Sequence, residues 1–289
     1  MEKRIAAIYS GSDSRVGELK VNRLLPNRYK NAVGPFVFLD HLYPHSLEAN
    51  SPAARDGKFA HPHRGIATFS YLFSGELEHY DSMGNHGIVT AGGAQWMNAG
   101  NGIIHDERAS TQFRQKGGVL HALQFWINLP SKNKAEKPGY FGLQSEDVPK
   151  VDLETAGKLR VLIGEFEGKA SPVERFTDQF IYHISLNPES EYVFRTKPGL
   201  EYAACIPQNK MMISGKELGP NELLTFGKEG SDIGLKNTGT LPADLILFGG
   251  EPYTEDIVAE GPFVMNSRIE IAEAYKDFFN GKYGEITYR

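Results

Sequence analysis

The sequence predicts an all-β protein of two successive barrels or sandwiches, closed by one short C-terminal helix. Three observations predict it. Short runs of β-branched and aromatic residues recur between Gly-rich turns over the first half of the chain. The same pattern resumes after a polar, weakly periodic stretch at residues 131–157. Helical periodicity is clear near the end, after Ser267.

The elements follow in order. Met1 to Ser10 holds too short an apolar run for a signal peptide. Ile66 to Phe73 is a β-branched and aromatic run that stops at Ser74-Gly75. Leu77 to Tyr80, the turn signal Ser82-Met83-Gly84-Asn85, and Gly87 to Thr90 read as a hairpin, followed by Ala91-Gly92-Gly93. Val119 to Leu129 alternates and ends at Pro130. Residues 131–157 read as the interdomain connection. Strand signals then return at Leu159 to Gly164, Phe180 to Leu186, Tyr202 to Ile206, Leu223 to Phe226 and Asp244 to Phe248. Asn128-Leu129-Pro130 ends the first series as Gly250-Glu251-Pro252 ends the second, so the halves read as weak repeats of one architecture. Expected boundaries are an N-terminal domain at 1–135 and a C-terminal domain at 136–289. The helix, 267–280, belongs to the latter. Ser267-Arg268-Ile269-Glu270 is a capping box, Ile271, Ala274, Tyr275 and Phe278 form an apolar stripe, and Gly281 supplies the stop.

Composition excludes several classes of function. The 289 residues are 40% hydrophobic and 23% charged, ordinary values for a globular chain with a sizeable core. No run approaches the ~20 apolar residues of a membrane helix. The net charge of −5 and the absence of a Lys/Arg stripe argue against direct nucleic-acid binding. Cys205 is the single cysteine. No intramolecular disulfide can form, a cytoplasmic location is favoured, and the residue reads as a small apolar filler.

The chemistry is concentrated in two i, i+2 pairs. His61 and His63 stand in His61-Pro62-His63-Arg64-Gly65, and His105 and Glu107 in Ile104-His105-Asp106-Glu107. In a strand, i and i+2 point to one face, and neighbouring strands lie roughly 4.8 Å apart. Two such strands side by side could close four ligands around one ion, although two unrelated surface pairs would have the same spacing. Three imidazoles and a carboxylate suit iron, manganese, nickel, copper, cobalt or zinc rather than calcium. On an octahedral ion they leave two positions open. Eight of the nine histidines lie within the first 121 residues, with His183 alone beyond, so the site belongs to the first half.

Other residues carry lesser expectations. Pro62 cannot donate to a strand ladder and places its strand at an edge or bulge. His121 shares a face with Val119, Leu123, Phe125 and Ile127 and reads as a core histidine. His79 and His86 flank the hairpin and are expected to be solvated or to support the ligands. His41 and His45 are expected in a loop. Asp106 faces away from its neighbours and is not counted as a ligand. Trp96 and Met97 line a pocket or pack in the core.

The order of these motifs resembles the cupin family, whose first motif runs His-x-His, then a Glu, then a Gly. His61, His63 and Gly75 match, but Thr68 or Ala67 stands at the Glu position, and Trp96 falls near the second-motif His. His105 and Glu107 repair both departures from the next strand, an arrangement that resembles the pirins. Val33 to His41, His61 to Gly65, Gly75 to His79 with Asp81 to Asn85, Gln95 to Gly100 with Gly102 to Glu107, and Gly261 to Asn266 all resemble pirin segments. The resemblance implies a bicupin, two double-stranded β-helix (jelly-roll) barrels. It implies Fe(II) held by His61, His63, His105 and Glu107 in the first barrel and no metal in the second. It also implies one of two functions. The first is a quercetin 2,3-dioxygenase acting on a flavonol, with Glu107 as general base. The second is a non-enzymatic redox sensor that binds a protein partner.

Overall fold

The computed structural model describes residues 1–17, 19–52 and 56–288. The chain forms two compact units, and they cut it differently from the expected boundary at 135/136. Residues 17–20, 42–147 and 254–289 make a His-rich unit; residues 1–16, 21–41 and 148–253 make the other. The terminal segments thus exchange places. Ile5–Ser10 adds as an edge strand to Glu222–Phe226, with Ile8 opposite Leu224, while the C-terminal helix joins the histidines. The stretch read as a connection also contributes strands. Gly139–Leu143 pairs with Ala94–Asn98, and Lys150–Asp152 pairs with Gly157–Ile163. Polar composition did not prevent pairing, because an edge strand needs only one buried face.

In the His-rich unit one antiparallel sheet runs Gly139–Leu143, Ala94–Asn98, Ile66–Ser74, Gly118–Asn128, and then Phe36–Leu47, whose residues 42–47 belong here. The other runs His61–His63, Ile103–Ala109, Glu76–Asp81, His86–Thr90. Leu72, Val89, Ala109, Leu120 and Ala122 are buried together as one apolar cluster. Pro62 lies in the edge strand, where its missing N–H costs no ladder bond. His41 and His45 fall in the Phe36–Leu47 strand rather than in a loop. The β-branched and aromatic run before them continues through the His residues without a turn signal. His121 is buried, as its alternating face requires.

The C-terminal helix is Arg268–Phe279. Its cap forms as the capping box predicts at one end. Ser267 Oγ accepts from the Glu270 N–H at 3.2 Å, while the Glu270 carboxylate accepts from the Asn266 N–H at 2.9 Å. Ile271 and Ala274 are buried with Phe263, Met265 and Tyr283, and Ile104 packs on the same cluster. Ile104 precedes His105, so the helix buttresses the back of the strand that carries the second metal-capable pair. Arg64, next to His63, pairs with Asp277 of the helix at 2.9 Å. Gly102, just before that strand, has φ +119°, and a Cβ there would stand 2.1 Å from the Tyr283 ring. Only glycine lets the chain enter the strand against that ring.

The second unit has the same two-sheet plan. Its large sheet runs Ile5–Ser10, Glu222–Phe226, Glu201–Cys205, Ala243–Gly250, Gln179–Leu186, Gly157–Ile163, Lys150–Asp152. Its small sheet runs Glu191–Arg195, Asp232–Lys236, Met211–Ile213, Lys216–Leu218. Leu159, Ile184, Ala204, Leu224, Ile233 and Leu245 are among its fully buried core. Cys205 is buried there, and burial pushes its thiol up to about 12, which makes it inert packing.

Candidate metal centre

Strand register assembles the site. Within the smaller sheet of the His-rich unit, His105 lies opposite His61 on one side and Asp81 on the other. Ile103 lies opposite His63, and Glu107 opposite His79. Directly paired residues share a face, so His61, His63, His105, Glu107, His79 and Asp81 project to one side. Asp106 projects to the other, where its carboxylate accepts from the Tyr288 hydroxyl at 2.7 Å. It takes no part in the cluster.

Three imidazoles converge. The potential ligand nitrogens of His61, His63 and His105 all lie within 4.8 Å of one another. His61 Nδ1 is 2.6 Å from the Phe59 carbonyl and His63 Nδ1 is 3.0 Å from the Pro262 carbonyl. Each carbonyl fixes the proton on Nδ1 and leaves Nε2 as a lone pair, the usual support of a metal-bound histidine. His61 Nε2 and His105 Nε2 are 3.1 Å apart. Two ligands at about 2.1 Å from an ion, set at a right angle, stand about 3.0 Å apart, so this pair fits adjacent positions on one ion. His105 Nδ1 is buried with no partner. Burial pushes His63 down to about 3, with His61 adding to the shift, and burial lowers His105 as well. Neutral imidazoles are what a metal needs. The donor set therefore fits a borderline transition metal.

Glu107 stands on the other side of His105. Its carboxylate groups with His105 and His79 rather than with His61 and His63. Gln124 donates to one oxygen at 2.8 Å; Gln95 at 2.5 Å and Ser70 at 3.3 Å donate to the other. Ser70 is paired with Gln95 on one neighbouring strand and with Gln124 on the other, so three donors form a row on the opposing sheet. The four expected ligands thus form two overlapping groups with His105 in common.

His79, expected to be solvated or supporting, is fully buried and stacks on Tyr140 at 4.2 Å. Its Nε2 lies 3.1 Å from Asp81. Burial alone would raise the Asp81 carboxyl, but hydrogen bonds from His79 and Asn85 hold it below the usual range. His86 is a partly exposed residue that bonds Glu78 and takes no part. Trp126 meets the site, its ring 5.0 Å from that of His63, and Trp96 and Met97 are buried. Gln95, Gln124, Ser70 and Asp81 were not anticipated. The available signal was polar Gln124 inside the apolar run Val119 to Leu129.

A pH dependence follows for the metal-stripped protein. His63 titrates at about 3 when folded and at roughly 6.5 when unfolded. Below the unfolded value the unfolded chain binds a proton that the folded chain refuses. Stability therefore falls as pH drops from about 6.5 towards 3, by about 1.4 kcal/mol per pH unit for each such histidine. Denaturant unfolding of chelated protein at pH 7, 6 and 5 should show this loss, and His63→Asn should make it shallower while the His105 contribution remains. Equal slopes in the two proteins refute it.

The pirin family model matches residues 18–127, and the model of the pirin C-terminal cupin domain matches residues 181–284. A Pseudomonas aeruginosa protein provisionally named quercetin 2,3-dioxygenase is 32% identical over 287 residues, 97% of this chain and 98% of the relative. The crystal structure of quercetin 2,3-dioxygenase from Acinetobacter baumannii superposes with a TM-score of 0.92 at 28% identity, covering 99% of this chain and 100% of that one. The bacterial pirin YhhW of Escherichia coli, solved with nickel(II), shares the fold at a TM-score of 0.63 and 18% identity, over 86% of this chain and 100% of its own. The chain belongs to the pirin family and carries its bicupin fold.

Proposed function

We propose that this protein is a metal-dependent dioxygenase acting on a flavonol such as quercetin, with Fe(II) held by His61, His63, His105 and Glu107. The observation that carries the reading is the convergence of three imidazoles, two of them fixed at Nδ1 by backbone carbonyls, in a chain similar to quercetin 2,3-dioxygenases over its whole length. A bound transition ion lowers the pKa of a hydroxyl placed against it. Glu107 is the group assigned to take that hydroxyl proton. Gln95 and Gln124 hold its carboxylate from two strands, which restricts its rotamers. Trp126 supplies an aromatic wall beside His63.

The test is anaerobic Fe(II) loading followed by oxygen uptake with quercetin. Wild type should consume oxygen in proportion to bound iron. Glu107→Gln should retain a substantial share of the iron, because three imidazoles remain, and lose at least about 100-fold in turnover, the scale of a lost general base. The new amide would also set an N–H against the donors Gln95 and Gln124. Fully loaded wild type without oxygen uptake overturns the enzymatic reading and moves the redox-sensing, partner-binding reading ahead. Full activity in Glu107→Gln removes the general-base role alone.

A further inference from the structure

The second unit holds a partly open cavity of about 220 Å³ that nothing in the metal chemistry uses. Its wall is built from Phe166, Phe180, Tyr182, Phe194 and Tyr202. The last four are buried. Their rings pack on one another, with Phe180 stacked on Tyr182 at 4.8 Å and tilted against Tyr202 at 4.9 Å, and Phe166 stacked on Phe194 at 5.3 Å. Close-packed interiors leave few voids larger than a water molecule. A space of this size, aromatic on one side and polar on the other, is a place for a small guest with both an apolar ring and a polar group.

Size and polarity choose the guest. An apolar cavity of about 150 Å³ already binds benzene, whereas drug-sized ligands occupy pockets of roughly 300–1,000 Å³. The cavity therefore takes one substituted ring and not a three-ring flavonol. Two hydroxyls reach its wall. Tyr182 donates its proton to the Glu165 carbonyl at 2.7 Å. Tyr202 instead accepts from the Lys197 N–H at 2.7 Å, which leaves its own proton for an oxygen on the guest. Burial pushes Tyr202 up to about 12, so the proton is present at neutral pH. Charges at the lining are of both signs, Glu165, Glu167 and Asp178 against Arg195 and Lys197, and Asp178 is already paired with Arg175 at 3.1 Å. No net field selects an anion. A cation is disfavoured as well, because Lys3 Nζ already sits 5.4 Å over the Tyr202 ring.

We propose that the second unit carries a binding site for a neutral single-ring phenol, held against the Phe180 and Phe194 side of the cavity with its oxygen accepting from the Tyr202 hydroxyl. The site is independent of the metal centre.

The experiment is calorimetric titration of the full-length protein with phenol and with toluene, in metal-loaded and chelated form. Phenol should bind saturably at one site per chain in both forms. Tyr202→Phe should weaken phenol about fivefold, the worth of one net hydrogen bond, and leave toluene unchanged. Leu200→Trp, which fills the cavity from its half-buried edge, should abolish both. If Leu200→Trp fails to fold by circular dichroism, the phenol-to-toluene ratio in Tyr202→Phe decides alone. Absence of saturable binding, binding only to metal-loaded protein, or a phenol-to-toluene ratio unchanged in Tyr202→Phe overturns the proposal.

Discussion

Replacing His105 with alanine is expected to remove both metal binding and any metal-dependent turnover. His105 is the residue shared by the two clusters, His61 with His63 on one side and His79 with Glu107 on the other. It is fully buried at the centre of its sheet, paired on both flanks. Loss of a group that merely supports a ligand costs about 10–100-fold in metal affinity, so loss of the central nitrogen should exceed about 100-fold. Elemental analysis after equilibration with Fe(II), compared with wild type and with a His61→Ala/His63→Ala double variant, measures it. Wild-type metal content in either variant would place the ion elsewhere. The new cavity is small and polar, so circular dichroism should show the fold retained.

A second large effect is expected from Lys134→Met, this time on stability. Lys134 is buried, and its Nζ donates to the Gly65 and Val264 carbonyls at 2.8 Å each and to Asn128 Oδ1 at 2.5 Å. Burial lowers its pKa to about 7, while three oxygen acceptors match the three N–H bonds of the charged form. These contacts tie together the turn after His63, the end of the Gly118–Asn128 strand and the Phe263–Met265 strand beneath the C-terminal helix. Methionine fills the volume but takes the donor from Asn128 Oδ1 and from the Val264 carbonyl, each loss costing roughly 1–3 kcal/mol, while the Gly65 carbonyl keeps the Leu129 N–H at 3.2 Å. Removing the desolvated cation offsets part of this, so a net loss of about 3 kcal/mol is expected. Thermal unfolding should drop by about 5–10 °C. An unchanged melting temperature would mean that water replaces the amine.

The local features were legible in the sequence because they rest on short-range chemistry. Period-two alternation and Gly-rich turns announce strands whatever lies beyond them, and the Ser267 and Glu270 capping box sets the start of a helix within one turn. The i, i+2 spacing of His61 with His63 and of His105 with Glu107 predicts their common faces, and the strands carrying them are indeed neighbours. Pirin membership was likewise written in contiguous motifs, which the family comparison matches.

Only the tertiary structure decided which segments keep company. Ile5–Ser10 and the C-terminal helix each joined the half of the chain farther from them in sequence. A sheet edge or an apolar stripe accepts any complementary partner regardless of separation, and loop-closure entropy grows only slowly with length. Register decided the rest of the site. It set Glu107 against His79 and turned its carboxylate towards Gln95 and Gln124, residues on three different strands that no spacing rule connects. The ligand types were therefore a property of the sequence, and their surroundings a property of strand pairing, because hydrogen bonds across a barrel link positions that are remote along the chain.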